Sequence, residues 1–184
     1  MSATQYYFSM DTGKCIRCKA CETACNQENS SKGARHRRSF INYEVEKTES
    51  VYLSMSCNHC ANPVCVVICP RNNYSKKRNG IVVHDAESCE GCKLCVEACP
   101  FQAPKYNHET NRVDKCNFCA EKVEGGNLPT CVASCPTQAL TFFWTDRSVK
   151  LNNDYAAKIP MSYFTKPSIQ FRSDKPKMQF FRKA

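Results

Sequence analysis

The run Cys89-Glu90-Gly91-Cys92-Lys93-Leu94-Cys95-Val96-Glu97-Ala98-Cys99-Pro100 constrains this chain more than any other feature. It reads C-x2-C-x2-C-x3-C-P, the spacing that holds a cubane iron–sulfur cluster. Three thiolates two residues apart reach three corners of one cubane only if the backbone curls around it. The fourth leaves that loop on a helical turn and points elsewhere; in two-cluster proteins it ligates the neighbouring cluster. Zinc takes a tetrahedron of four ligands, drawn typically from two separated C-x2-4-C pairs, and fits this run poorly.

Three more runs of the same kind account for the remaining cysteines. They are Cys15-x2-Cys18-x2-Cys21-x3-Cys25, Cys57-x2-Cys60-x4-Cys65-x3-Cys69-Pro70 and Cys116-x2-Cys119-x11-Cys131-x3-Cys135-Pro136. The chain has 184 residues and 16 cysteines, so four cubanes use every one. A disulfide scaffold needs no repeated quartets, and no secretory apolar segment opens the sequence. The formal net charge of +9 counts each cysteine as a neutral thiol. Four clusters of about −2 each bring the loaded protein to about +1, so the basic excess compensates clusters and does not mark a nucleic-acid site. The longest apolar run, around Pro63-Val64-Cys65-Val66-Val67-Ile68, is too short to cross a bilayer. With no twin-arginine or Sec signal ahead of Cys15, the chain is expected neither to export nor to anchor itself.

Alternation of Tyr6, Phe8 and Met10 predicts a short strand running into the first cysteine loop. Residues Asn26 through Phe40, with Lys32, Arg35, Arg37 and Arg38, read as a solvated surface loop. Further strands are expected at Val51–Met55, at Ile81–Val83 after the Asn79-Gly80 turn, and at Ala139–Phe143. The unit of strand, cluster loop, short helix and strand thus recurs with each quartet, an α+β pattern with little regular structure. Such units bury too little surface alone, and the first 140 or so residues are expected to be poorly ordered without iron and sulfide. The boundaries follow: 1–143 for the cysteine-bearing region and 144–184 for a cysteine-free tail with nine Lys or Arg against three Asp. Tyr155, Tyr163, Phe164, Phe171, Phe180 and Phe181 are scattered through that tail without a period, which suits wrapping its own domain or a partner equally.

Cubanes with four protein thiolates transfer electrons and leave no iron open to substrate, and no quartet here is incomplete. His59, inside Cys57-Asn58-His59-Cys60, is one histidine where a Rieske centre needs two, and is expected to donate a hydrogen bond or pack. His36, His84 and His108 receive no role. Lys19, Lys93, Lys115 and Lys122 lie beside cysteines and are candidates for tuning reduction potentials. With no phosphate loop, nucleophile or carboxylate pair, the chain reads as a conductor and not a catalyst.

Taken together the quartets resemble those of the four-cluster electron-transfer subunits of the dimethyl sulfoxide reductase superfamily of molybdenum enzymes. Tyr163-Phe164-Thr165-Lys166-Pro167 is most similar to the dimethyl sulfoxide reductase branch of it. The resemblance implies two nested bacterial-ferredoxin-like dicluster units, quartets two and three in one and quartets one and four in the other. It implies four [4Fe-4S] clusters with these ligands: Cys15, Cys18, Cys21 and Cys135; Cys57, Cys60, Cys65 and Cys99; Cys89, Cys92, Cys95 and Cys69; Cys116, Cys119, Cys131 and Cys25. Chain order alone leaves the pairing open. Cysteine at position 92 implies a cubane where some relatives hold a three-iron cluster. The implied partners are a molybdenum (or tungsten) bis-pterin catalytic subunit and a quinol-oxidising membrane anchor subunit. The implied location is peripheral at the cytoplasmic membrane, on its outer face, after export with the partner. The wire would run from the Cys15 cluster, nearest the molybdenum subunit, to the Cys116 cluster, farthest from it. Two departures stand out, Asn26 in place of proline after the first quartet and Arg71-Asn72-Asn73 after the second. The competing expectation is a free soluble polyferredoxin shuttling electrons between unrelated enzymes.

Overall fold

The computed structural model describes residues 4–29, 37–46, 49–146 and 164–172. Strand β1 (Thr4–Asp11) is the centre of a three-stranded sheet. β8 (Leu140–Asp146) pairs antiparallel along one edge, with Phe8 opposite Phe142 and Met10 opposite Leu140. β9 (Ile169–Arg172) pairs parallel along the other, with Phe8 opposite Ile169 and Met10 opposite Phe171. The alternation of Tyr6, Phe8 and Met10 therefore turns one apolar face inward, and Phe8 stacks on Phe118 with ring centroids 4.1 Å apart. Leu53, Met55, Ile81, Phe118, Leu140, Ile169 and Phe171 complete this core.

The rest is small hairpins and short helices. β2 (Ser39–Glu46) pairs with β3 (Glu49–Met55), β4 (Tyr74–Lys76) with β5 (Val82–His84), and β6 (Lys105–Asn107) with β7 (Arg112–Asp114). The helices are α1 (Ala20–Asn29), α2 (Val64–Ile68), α3 (Leu94–Ala98), α4 (Ala120–Glu124) and α5 (Thr130–Ala133). α1 packs on α5 and α2 on α3. α2 and α3 stop just ahead of a Cys-Pro pair and α5 one residue earlier, because proline disfavours helical geometry in the residue before it. The first quartet has Asn26 where the others have proline, and its helix continues for another turn to Asn29.

That continuation corrects the expectation of a loop from Asn26 to Phe40. Residues 26–29 are helix, Ser39 and Phe40 belong to β2, and Arg38 is buried; Lys32 and Arg35 lie outside the described residues. The long spacer of the fourth quartet likewise holds a helix, α4, before its Gly125-Gly126 turn. Within 164–172 the chain runs beside the second cysteine loop before pairing with β1. Ala61 N–H donates to Lys166 O at 2.8 Å, Asn62 N–H to Thr165 O at 3.0 Å, and Ser168 N–H to Asn58 O at 2.8 Å. Tyr155, Tyr163, Phe180 and Phe181 fall outside the described residues.

Candidate metal centres

Each quartet begins on a left-handed turn. Arg17, His59, Gly91 and Phe118, each two residues past the first cysteine of its run, have φ of 61°, 42°, 70° and 63°. Left-handed backbone aims successive N–H groups into one concavity, where they meet anionic sulfur. His59 N–H donates to Cys57 Sγ at 3.5 Å and Phe118 N–H to Cys116 Sγ at 3.3 Å. Only one of the four positions is glycine, so the other three carry a backbone cost of roughly 1–2 kcal/mol each that the loop must offset elsewhere. At the far end of α2 and α3, Cys69 and Cys99 are extended, which turns their side chains out of the loop that precedes them.

The cysteines gather across quartets. Cys15, Cys18, Cys21 and Cys135 line one cavity with Met10, Phe40 and Leu140. Cys57, Cys60, Cys65 and Cys99 line a second. Cys69, Cys89, Cys92 and Cys95 line a third. Cys25 has Cys116, Cys131 and Cys119 as its electrostatic neighbours. Among the described residues no three His, Cys, Asp or Glu converge on a point that would hold a single ion. Thiols that surround a space instead of meeting at a point suit a cluster whose metals sit at separated corners. Burial pushes the Cys25, Cys60 and Cys65 thiols up to about 12 and Cys131 up to about 11, with neighbouring cysteines adding to the rise. Thiolates at such places need a positive centre to hold them.

A family described as the 4Fe-4S dicluster domain matches residues 48–144. The B subunit of the anaerobic dimethyl sulfoxide reductase of Escherichia coli (strain K12) is 37% identical over 179 residues, covering 90% of this sequence and 87% of that one. The protein belongs to the 4Fe-4S dicluster family. The B subunit of the polysulfide reductase of Wolinella succinogenes is 35% identical over 178 residues, covering 91% and 93%. The thiosulfate reductase electron transfer subunit of Salmonella typhi is 37% identical over 153 residues, 78% of each sequence.

In this dicluster protein the sulfurs carry further donors. Val113 N–H reaches Cys89 Sγ at 3.4 Å, Leu140 N–H reaches Cys135 Sγ at 3.4 Å, and Ser54 Oγ lies 3.2 Å from Cys21 Sγ. Asn29, on the extra turn of α1, donates Nδ2 to Cys25 O at 2.8 Å and to Cys25 Sγ at 3.7 Å. Such donors favour the more negative, reduced cluster. His59 does not donate from Nδ1: that nitrogen accepts from Val82 N–H at 3.1 Å, while the ring packs edge-on against Phe118 at 5.2 Å. Burial and the nearby Lys115 and Lys76 hold its imidazole well below the usual histidine range.

The four candidate lysines separate. Lys115 is buried, with Nζ donating to Cys116 O at 2.7 Å and to Val82 O at 2.5 Å, and its charge acts on Cys57 and Cys65. Lys122 pairs with Glu28 at 2.8 Å, and Lys93 lies over the Tyr106 ring at 4.1 Å. Lys19 is exposed. The residues that sequence reasoning missed are Arg38 and Ser54. Nothing local marks either one: an arginine that ends a basic stretch reads as surface.

Proposed function

We propose that this chain is the electron-transfer subunit of a multisubunit reductase, conducting through four [4Fe-4S] clusters. The observation that carries the reading is the gathering of four cysteines at a time, each set drawn from two quartets. It supports the ligand sets Cys15, Cys18, Cys21 and Cys135; Cys57, Cys60, Cys65 and Cys99; Cys69, Cys89, Cys92 and Cys95; and Cys25, Cys116, Cys119 and Cys131. The packing of α1 on α5 and of α2 on α3 supports two nested units on the same pattern. When bound, the clusters supply one-electron transfer without an open iron. The chain's residues fix their spacing, exclude water and present N–H groups to sulfur.

Relatives that are themselves B subunits or an electron transfer subunit of reductases favour a subunit over a free shuttle. Such a subunit needs a catalytic partner, here proposed as a molybdenum or tungsten bis-pterin protein, and a quinol-oxidising membrane anchor as donor. No helix among the described residues is long and apolar enough to cross a membrane, so attachment at the cytoplasmic membrane, on its outer face, would come through the partners. The cysteine-free tail from 144 is kept as the proposed second segment, with β8 (Leu140–Asp146) running through the 143/144 division, and the pairing of β9 with β1 favours a tail that wraps its own domain.

Iron and acid-labile sulfide should each approach about sixteen per chain. About eight, or stoichiometric zinc, would sink the proposal. The proposed wire order places the Cys25, Cys116, Cys119 and Cys131 set on the donor side. Cys131→Ser, a hard ligand for a soft one, should then lower quinol-linked turnover of the assembled complex while an artificial donor to the inner clusters still supports it. Equal loss of both activities in that complex would refute the order.

A further inference from the structure

Arg38 carries a full positive charge that no carboxylate among the described residues balances. It is 1% exposed, and among the described residues no Asp or Glu pairs with it. One guanidinium nitrogen, Nη1, donates to Ser54 O at 2.9 Å and Ser54 Oγ at 3.1 Å, while Nη2 donates to Ser56 Oγ at 2.8 Å. Its Cζ sits 4.8 Å over the Phe8 ring, and Nε has no partner among the described residues. Neutral hydroxyls, a carbonyl and a ring do not offset the several kcal/mol that burying such a charge costs. Negative charge has to stand nearby. The cysteines on which Arg38 acts electrostatically are Cys131, Cys116, Cys21 and Cys25, and all four share one buried core with the Phe8 ring beneath the guanidinium; the same charge disfavours protonation of His59.

Those four cysteines come from two of the proposed clusters. Cys21 belongs with Cys15, Cys18 and Cys135, and the other three belong together. α1 joins the two sets, since it carries both Cys21 and Cys25 on its buried side. Ser54 links the guanidinium to one set directly. Its oxygen accepts from Arg38 and its proton is thereby left to donate to Cys21 Sγ, 3.2 Å away.

Resting on the four-cluster reading above, we propose that Arg38 is the shared counter-charge of the Cys15 and Cys116 clusters and holds both their reduction potentials up, acting on the first also through the Ser54 hydroxyl. An electron arriving on either cluster adds one negative charge beside a fixed positive one, so the reduced form gains more than the oxidised form. Burial keeps mobile ions from screening the effect. Arg38 is a positioning residue: it ligates nothing and moves no proton.

The test is a redox titration, followed by electron paramagnetic resonance, of the purified complex carrying Arg38→Met, Arg38→Lys or Ser54→Ala. Arg38→Met should lower two of the four midpoint potentials by at least tenfold in the reduction equilibrium, about 59 mV for a one-electron couple. Arg38→Lys should restore most of that shift. Ser54→Ala should lower only one potential, and it should be one of the same two. If Arg38→Met with full iron leaves all four potentials in place or moves all four alike, or if Arg38→Lys is as low as Arg38→Met, the proposal is overturned. Should Arg38→Met fail to hold iron, retention of the clusters in Arg38→Lys together with a single lowered potential in Ser54→Ala supports the counter-charge. Loss of iron in Arg38→Lys too, or no shift in Ser54→Ala, then refutes it. Iron content of the unsubstituted complex reports separately on the four-cluster reading.

Discussion

Gly91 shows what a single residue must satisfy in these loops. Its φ is +70°, and a Cβ there would overlap the Asn111 carbonyl oxygen and crowd the Tyr106 ring at 3.2 Å. The matching positions in the other quartets hold Arg17, His59 and Phe118 at similar φ, so conformation alone does not demand glycine. The close approach of the Asn111 carbonyl does. Gly91→Ala should therefore destabilise the protein by about 2 kcal/mol or more, combining left-handed strain with a backbone clash. Thermal unfolding should fall by roughly 4–8 °C, with iron lost most readily from the set containing Cys89. An unchanged melting curve would contradict the contact.

At the scale of elements, one substitution separates α1 from the other cluster helices. Asn26 permits a turn that proline forbids elsewhere, and the turn delivers Asn29 to Cys25 and to Arg37, whose Nη1 donates to Asn29 Oδ1 at 2.6 Å. Arg37 in turn pairs with Asp114 of β7 at 2.6 Å, tying the helix to a hairpin far along the chain. β9 shows the opposite dependence. Four residues are too few to specify a strand, and only the free edge of β1 orders them. Phe171 is 1% exposed opposite Met10, so Phe171→Ala should cost about 3–5 kcal/mol and lower the melting temperature by roughly 6–20 °C. If β9 were a loose appendage the change would stay within about 0.5 kcal/mol, as surface substitutions do.

For the molecule as a whole, cluster assembly and folding are one equilibrium. The folded arrangement raises the Cys25, Cys60 and Cys65 thiols from an ordinary value of 9.0 to about 12, chiefly by burial. A raised value favours the neutral thiol, so this contribution to a cluster-free fold is full below about pH 9 and is lost as pH climbs toward 12. Ligation needs thiolates and runs the other way: each bound cysteine releases its proton, and affinity for iron and sulfide grows with pH. Reconstitution in weak buffer should acidify the solution and proceed to higher yield at pH 9 than at pH 7. Equal yields without proton release would count against buried thiols as ligands. Chelation of the iron should also abolish the cooperative unfolding transition, since the hairpins and helices of three to ten residues have little core of their own.

Much of this was legible in the residues alone, because cluster chemistry writes itself into spacing. Cys-x2-Cys-x2-Cys fixes a curled loop, and alternation at Tyr6, Phe8 and Met10 fixes a strand; that the opposite face, with Gln5, Tyr7, Ser9 and Asp11, is buried too is set by the tertiary structure. Cys-Pro fixes where the short helices end. These are local rules of distance and backbone geometry, and one sequence states them fully. Which cysteines from different quartets come together is a matter of helix packing between distant segments, and no spacing encodes it. The same holds for the residues around Thr165, whose hydrogen bonds meet the two extra residues of the second quartet more than a hundred positions earlier. Arg38 is the clearest case. Its charge reads as surface in a basic stretch, and only the folded arrangement of Ser54, Ser56, Phe8 and the surrounding sulfurs makes burial favourable. Electrostatic balance in a low-dielectric interior depends on everything within a few ångströms, which the order of residues along a sequence does not specify.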